Sequence, residues 1–160
     1  MGKIEIVDAD LSRPDHQRAV LDMIDAYALD PMGMGRHLPV DVREALIPAL
    51  REHPTTVILL AFDGARVVGT AICFRGFSTF VAKPLLNIHD LAVVPSYRGR
   101  GVGRLLLEAA AVKARALGCC KLTLEVLEDN LRARAVYRAA GFGQGQTGAS
   151  SGSLFLSKPL

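Results

Sequence analysis

The spacing of apolar and polar positions along the chain predicts alternating strands and helices. Period-two alternation and short β-branched apolar runs predict strands. They lie at Lys3–Asp8, Thr55–Ala61, Arg66–Phe74, Leu85–Val94, Lys121–Leu127 and Ser153–Ser157, with a weak strand after Phe142. Apolar residues three and four apart predict helices. They run from Ser12, as N-cap, through Tyr27, and over Val40–Arg51, Gly99–Leu117 and Asn130–Ala140. The predicted order is β-α-α-β-β-β-α-β-α-β-β.

This order predicts an α/β fold built on one mixed sheet. The three consecutive strands can pair as an antiparallel meander, because Asp63-Gly64 is a favoured hairpin turn between the first two. The strand–helix–strand unit that follows predicts a parallel pair, since a crossover helix lets the second strand run in the same direction. A length of 160 residues suits one domain over residues 1–160.

Composition and charge exclude several classes of protein. Hydrophobic residues make up 50% of the chain and charged residues 22%, which is the balance of a folded globular protein. The net charge of +3 is mild and basic residues are interleaved with acidic ones, so we expect no nucleic-acid partner. The apolar runs are too short to span a bilayer, so we expect no membrane partner.

The three cysteines favour a reducing compartment. Cys119 and Cys120 are adjacent and Cys73 lies far from them, which is neither a disulfide framework nor zinc spacing, so we expect no metal. The first residues lack the basic and apolar stretches of a secretory signal. We therefore expect a cytoplasmic protein with reduced thiols.

The segment Leu91–Arg104, LAVVPSYRGRGVGR, carries the candidate chemistry. A buried strand ends at Pro95, and alternate glycines then open the predicted helix, so that a ligand can approach the backbone closely. The first-turn N–H groups of a helix have no internal partner and lie at the positive end of its dipole. Arg98 and Arg100 add positive charge, as Arg104 does, and the segment is therefore a candidate phosphate site.

Two common nucleotide motifs do not fit this segment. The dinucleotide fingerprint G-x-G-x-x-G fails because, counting from Gly99, Arg104 stands at the third glycine. The Walker A loop requires Gly-Lys followed by Ser or Thr, which the chain does not contain. The pattern that fits is R-x-x-G-x-G, on Arg98, Gly101 and Gly103.

The motifs in this order resemble the GCN5-related N-acetyltransferase (GNAT) superfamily. The strand and the RGRGVG loop are followed by Leu124-Glu125-Val126, Asn130, Tyr137 and Gly141-Phe142. The stretch Phe77–Arg104 is also similar to diamine and polyamine acetyltransferases. The resemblance implies acetyl-CoA as cosubstrate and direct transfer, in a ternary complex, to an amine of a small molecule or peptide. It also implies that acetyl-CoA lies between two splayed parallel strands, which would here be Leu86–Val94 and Lys121–Leu127.

The resemblance assigns cofactor contacts to particular residues. Backbone groups at the end of the first splayed strand would pair with the pantetheine arm, and amides of the glycine-rich loop would hold the pyrophosphate. Asn130 would cap the last helix and touch the pantetheine, and Tyr137 would act as general acid on the CoA thiolate. The cofactor residues implied are Leu91, Ala92, Val93, Arg98, Gly99, Arg100, Gly101, Val102, Gly103, Arg104, Asn130 and Tyr137.

The general base stays open between residues on two strands. His89 stands where the polyamine acetyltransferases carry a glutamate, and imidazole can accept a proton near neutral pH. It can equally be a strand histidine with a satisfied ring. Glu125 lies in a Leu-Glu-Val context similar to that of ribosomal-protein alanine acetyltransferases, or is a strand carboxylate facing an edge. Asp90 points away from His89 in a regular strand, unless a bulge intervenes.

The alternative function is a CoA-binding sensor or partner module without catalysis. Such a module keeps the phosphate loop and does not need Tyr137. Members of the superfamily that the motifs resemble are often dimers, so a homodimer is a further expectation. The identity of the acceptor amine is not encoded in these motifs, because loop shape sets it.

Overall fold

The computed structural model describes residues 2–143, 146–147 and 152–160, with 146 and 147 described by their backbone alone. The strands are β1 (Ile4–Asp8), β2 (Thr56–Asp63), β3 (Arg66–Ser78), β4 (Lys83–Val93), β5 (Lys121–Leu127), β6 (Gln146–Thr147) and β7 (Ser153–Pro159). The helices are α1 (Pro14–Leu29), α2 (Val40–Glu52), α3 (Val102–Ala116) and α4 (Leu131–Ala139), with a 3-10 turn over Pro95–Tyr97. The predicted order of elements is confirmed.

Two helix starts differ from the prediction. The N-cap of α1 is Arg13 without a side-chain cap, because the Ser12 hydroxyl donates to Asp10 Oδ1 at 2.6 Å instead. Helix α3 begins at Val102 rather than at Gly99, because Gly99 and Gly101 have φ angles of 75° and 84°, which no right-handed helix contains. Part of the weak strand predicted after Phe142 falls on residues 144–145 and 148–151, outside the described residues.

The strands described form a seven-stranded sheet in the order β1-β2-β3-β4-β5-β7-β6. Only β4 and β5 run parallel, and the predicted mixed sheet is therefore confirmed. Helices α3 and α4 pack on one face, where Leu106 and Tyr137 join a core with Leu122. Helices α1 and α2 cover the other face, where Val20 and Leu50 join a second core. No described helix has the length and apolarity needed to cross a membrane.

A β-bulge at His89 interrupts β4. Ile88 pairs with Cys73, whereas Asp90 pairs with Ile72, so that His89 is an extra residue in the ladder. The extra residue shifts the alternation of faces by one position. Asp90 therefore lies on the same face as Ile72, which α1 and α2 cover, rather than with Ile88 beneath α3.

Strands β4 and β5 separate where this bulge lies. Their parallel pairing covers three positions, Leu86↔Leu122 through Ile88↔Leu124, and the Asn87 amide reinforces it by donating to Thr123 Oγ1 at 3.1 Å. Beyond Ile88 the two strands continue without pairing to each other. The expected splay between the parallel strands is confirmed.

Helix α3 begins close to the sheet because β3 carries a glycine below its first turn. A Cβ atom on Gly69 would lie 3.1 Å from Val102 Cγ1, 3.1 Å from Leu106 Cδ1 and 3.2 Å from the Ala92 carbonyl oxygen. A larger residue would crowd these atoms, so the Val102 and Leu106 side chains would have to shift to admit it. The absence of a side chain thus seats the amino end of α3 beside the open end of β4.

Candidate active site

A cavity of about 600 Å³ lies beside the end of β4, beyond the last residue that pairs with β5. Residues of helices packed on both faces of the sheet line it together with residues of β4. Tyr27 of α1 approaches from one face, and Gly103 of α3 and Tyr137 of α4 approach from the other. Most of the residues predicted to hold the cofactor line this one cavity: Leu91, Ala92, Val93, Arg98, Gly99, Gly101, Val102, Gly103, Arg104, Asn130 and Tyr137.

The amino end of α3 presents unpaired N–H donors at the cavity. Gly101 is the N-cap, and the first helical hydrogen bond runs from the Leu105 amide to its carbonyl at 3.0 Å. The amides of Val102, Gly103 and Arg104 thus have no partner within the helix. The helix dipole adds partial positive charge at this position, so the cavity end suits an anion.

The open edge of β4 offers further backbone groups. The Val94 amide donates to the Val68 carbonyl at 3.0 Å, so Val94 directs its backbone towards β3. Successive residues of a strand direct their backbone groups to opposite edges. Leu91 and Val93 therefore direct theirs into the gap, where an extended ligand can pair with the Leu91 groups and the Val93 amide, whereas the Val93 carbonyl already accepts from Arg98 Nε at 3.0 Å.

The arginine side chains around the loop differ in whether they line the cavity. Arg104 and Arg132 line the cavity and are exposed, with Arg104 66% accessible and 3.6 Å from Glu108. Arg100 does not line the cavity, because its guanidinium lies over the Tyr97 ring at 5.4 Å. Only the backbone of Arg100 is therefore a candidate for contact with the cofactor, and that role stays a prediction.

Tyr137 is buried, and its side chain lines the cavity from α4. Burial, followed by the nearby Tyr27, raises the pKa of its hydroxyl well above the usual range, so that it keeps its proton at neutral pH. Among the described residues nothing accepts or donates a hydrogen bond at this hydroxyl. Asn130 begins the same helix and accepts from the Ala133 amide at 3.2 Å, as predicted.

Sequence patterns alone did not single out Tyr27. It belongs to the apolar stripe of α1, and such a tyrosine is usually a packing residue. In the structure its ring lines the cavity opposite Tyr137. Burial raises the pKa of its hydroxyl, and the negative charges of Asp90 and Asp30 raise it further.

The two predicted candidates for a general base lie on the face covered by α1 and α2. His89 is exposed and its ring packs edge-on against Phe74 at 5.6 Å. Glu125 is exposed and accepts a hydrogen bond from the Ser153 hydroxyl. Neither lines the cavity, and their catalytic roles stay predictions.

Asp90 is a further candidate for the general base, and its side chain is half-buried. The bulge places it next to the cavity residue Leu91 and close enough to Tyr27 and Cys73 to influence both electrostatically. Burial raises the pKa of the Asp90 carboxyl, although the neighbouring His89 opposes that rise. A carboxyl with a raised pKa holds a proton more readily than an ordinary aspartate, which suits a proton acceptor.

The cysteines offer no activated nucleophile among the described residues. Burial, and next the charge of Asp90, raise the pKa of the Cys73 thiol to about 12, so that it stays a thiol at neutral pH. Burial also raises the pKa of Cys119. In the described part of the chain, no three His, Cys, Asp or Glu side chains lie close enough to hold a metal ion.

Comparison with known proteins identifies the family. The model of the acetyltransferase (GNAT) family matches residues 20–142, which include the loop, the splayed strands and all three tyrosines that line the cavity. The chain therefore belongs to the GNAT acetyltransferase family, and the resemblance seen in its motifs is confirmed.

Individual relatives are similar over part of their length. YhfO, an uncharacterised N-acetyltransferase of Bacillus subtilis (strain 168), is 34% identical over 99 residues, 62% of this chain and 66% of that protein. Thialysine N-epsilon-acetyltransferase of Bos taurus is 36% identical over 79 residues, 49% of this chain and 46% of that protein. The matched stretches thus span less than two thirds of either relative.

A solved structure supports the fold over the whole chain. A chain from the NatC complex bound to Gag peptide and CoA superposes with a TM-score of 0.76 and 22% identity, covering 100% of this chain and 99% of that chain. At this identity the likeness concerns the fold.

Replacing Asp90 by asparagine should stabilise the protein at neutral pH. Because folding raises the pKa of Asp90, the folded chain binds this proton more tightly than the unfolded chain, and the free energy of unfolding falls as pH rises between the two pKa values. Asp90→Asn is therefore expected to raise the thermal midpoint at pH 7, with the gain disappearing below about pH 4, where both states are protonated.

A carboxyl with the opposite shift provides the control. The Met32 amide, followed by Arg98, lowers the pKa of Asp30, so Asp30→Asn should lower the midpoint at pH 7. An Asp90→Asn variant that is less stable than the wild type at pH 7 would show that Asp90 is held by contacts that favour its charge.

Proposed function

We propose that this protein is an acetyl-CoA-dependent N-acetyltransferase that acts by direct transfer in a ternary complex. The observation that carries the proposal is the cavity beside the end of β4 that β5 leaves unpaired, with the amino end of α3 among its lining residues. The relatives support the chemistry by their names, which describe acetyl transfer to nitrogen. The CoA bound in the NatC complex supports the cosubstrate.

The residues present fit acetyl-CoA. The unpaired amides of Val102, Gly103 and Arg104 suit a pyrophosphate, and Arg104 and Arg132 add charge where further phosphate oxygens would lie. The open edge at Leu91–Val93 suits an arm that carries amide groups. When bound, acetyl-CoA supplies the acetyl thioester.

Backbone and phenol groups would assist the transfer. The Leu91 and Val93 amides, directed into the gap, can donate to the acetyl carbonyl oxygen as negative charge develops on it. One such preformed donor is typically worth about 3–4 kcal/mol in the transition state. The protonated Tyr137 hydroxyl can donate to the departing sulfur.

Asp90 is the proton acceptor that the geometry favours. The amine must lose a proton to attack, and Asp90 lies on the face from which Tyr27 approaches the gap. His89 and Glu125 share that face but are exposed at its surface. All three are compared by mutation below.

The acceptor would be an amine of a small molecule or of a peptide. Thialysine is the substrate in one relative's name, and a peptide is bound in the NatC complex. Tyr27 and Met32 form the wall of the cavity from which such an amine would enter. A homodimer and a single domain over residues 1–160 remain part of the proposal.

The central test is binding of coenzyme A to Gly101→Ala. Gly101 has a φ of 84° and no atom near a new Cβ, so alanine strains the backbone by about 1–2 kcal/mol without a clash. Relief of that strain would reorient the α3 amides. We expect calorimetry to show affinity for coenzyme A reduced about tenfold or more.

Gly64→Ala is the matched control. Gly64 has a φ of 60° and is equally open, but lies in the β2–β3 turn away from the cavity. It should lose similar stability and keep its affinity for coenzyme A. If the wild type shows no uptake of coenzyme A, the proposed function is wrong.

Tyr137→Phe should separate catalysis from binding. Removal of the hydroxyl leaves the packing against Phe142 and removes the donor to sulfur. Release of CoA from acetyl-CoA, screened with amines, amino acids and peptides, should slow by about 10²-fold or more, with little change in affinity for coenzyme A. If no acceptor reacts while coenzyme A binds, the non-catalytic CoA-binding module gains support.

Three variants compare the base candidates. Asp90→Asn should lower kcat by about 10²–10⁴-fold and remove the rise of rate with pH, because it removes the proton acceptor. His89→Gln and Glu125→Gln should each keep most of the activity. If His89→Gln or Glu125→Gln gives the large loss instead, that residue is the base.

A further inference from the structure

The Arg98 side chain makes hydrogen bonds to two other residues of the protein. Its Nη2 donates to Asp30 Oδ2 at 2.6 Å, and its Nε donates to the Val93 carbonyl at 3.0 Å. Arg98 thereby links the residue that follows α1 to the open edge of β4, through a contact between two residues 68 positions apart in the chain.

Asp30 organises the segment that follows α1. It is the C-cap of the helix, and its Oδ1 accepts from the Met32 amide at 2.9 Å. Its carbonyl oxygen accepts from the Gly33 amide at 2.8 Å. One residue thus holds the turn after α1 and also bonds the arginine of the phosphate loop.

The Arg98–Asp30 ion pair is partly buried, so its contribution to holding these two elements together is larger than that of an exposed pair. The Asp30 side chain is 14% exposed and the Arg98 side chain 33%, unlike the open pair Arg13–Asp15 at 56% and 63%. Charge-assisted hydrogen bonds in such surroundings are about twice as strong as neutral ones. Removing one partner also leaves the other charge partly buried.

The wall of the cavity on the α1 side depends on this pair. Tyr27 lies one turn before Asp30, and both line the cavity with Met32. We name these three residues the α1 wall. A second carboxylate holds the other end of the connection to α2, since Asp25 bonds the Leu38 amide at 2.9 Å and Arg43 at 2.6 Å.

We propose that Arg98 and Asp30 are positioning residues, which hold the α1 wall against β4 so that Tyr27 faces the acceptor. The backbone of Arg98 serves the phosphate site, whereas its side chain serves the acceptor side. This inference rests on the proposed function.

The test compares Asp30→Asn, Arg98→Gln and the double variant. In Asp30→Asn the amide oxygen still accepts from the Met32 amide, and only the charge to Arg98 is lost. Hydrogen exchange of residues 25–39 should accelerate by about tenfold, which corresponds to one charge-assisted hydrogen bond. The double variant should behave like either single variant, because the two side chains act as one unit.

Binding and kinetics distinguish positioning from cofactor contact. Asp30→Asn should keep its affinity for coenzyme A within about threefold, which is under 1 kcal/mol. With the amine that the screen finds most reactive, its KM for that amine should rise about tenfold while its KM for acetyl-CoA stays within threefold. Arg98→Lys, which retains the charge, should recover part of the loss.

Arg104→Gln is the matched comparison. Arg104 lines the same cavity and does not touch the α1 wall, so it should lose affinity for coenzyme A with unchanged exchange at 25–39. If Arg98→Gln behaves like Arg104→Gln, the Arg98 side chain is a cofactor contact and the inference is wrong. If the wild type does not bind coenzyme A, the proposed function fails, while the exchange experiment still decides whether the pair holds the α1 wall.

Discussion

One extra residue in β4 marks the point where the paired sheet ends and the candidate site begins. His89 interrupts the ladder with β3 and shifts the faces of every residue that follows. The parallel pairing with β5 ends at Ile88, and the strands beyond it leave backbone groups without partners from each other. A buried, unpaired backbone edge is costly, so the gap is suited to a ligand that supplies the missing hydrogen bonds. The face that Asp90 occupies follows from this interruption, and the cavity that Tyr27 and Tyr137 line lies next to it.

Backbone amides and arginine side chains contribute separately to the electrostatics around that gap. Helix α3 offers amides and a dipole, which bind an anion without burying a cation. The three arginine side chains beside it make different contacts. Arg100 lies over the Tyr97 ring, Arg98 donates a hydrogen bond to Asp30, and Arg104 is exposed to solvent. Three arginines in one motif thus have three different surroundings, and only the folded chain separates them.

The cofactor side was predictable because its signals are local. Glycines at 99 and 101 permit the positive φ angles found before the helix, and Asn130 caps its helix by accepting from the amide three residues later. The acceptor side was not predictable in the same way. In the sequence, Tyr27 is one of the apolar positions that predict α1. No pattern of residues around His89 indicates the bulge. Both depend on how α1 and β3 pack against β4.

The sequence by itself determined the order of elements, the mixed sheet and the glycine-rich loop before α3, because these follow from periodicity, hairpin chemistry and glycine placement over a few neighbouring residues. Tertiary structure alone decided which face Asp90 occupies, that Arg98 pairs with a carboxylate 68 residues away, and that two tyrosines meet through the sheet. The physical reason is register: one inserted residue reverses the faces of a strand, and only the pairing with its neighbours reveals where the insertion lies.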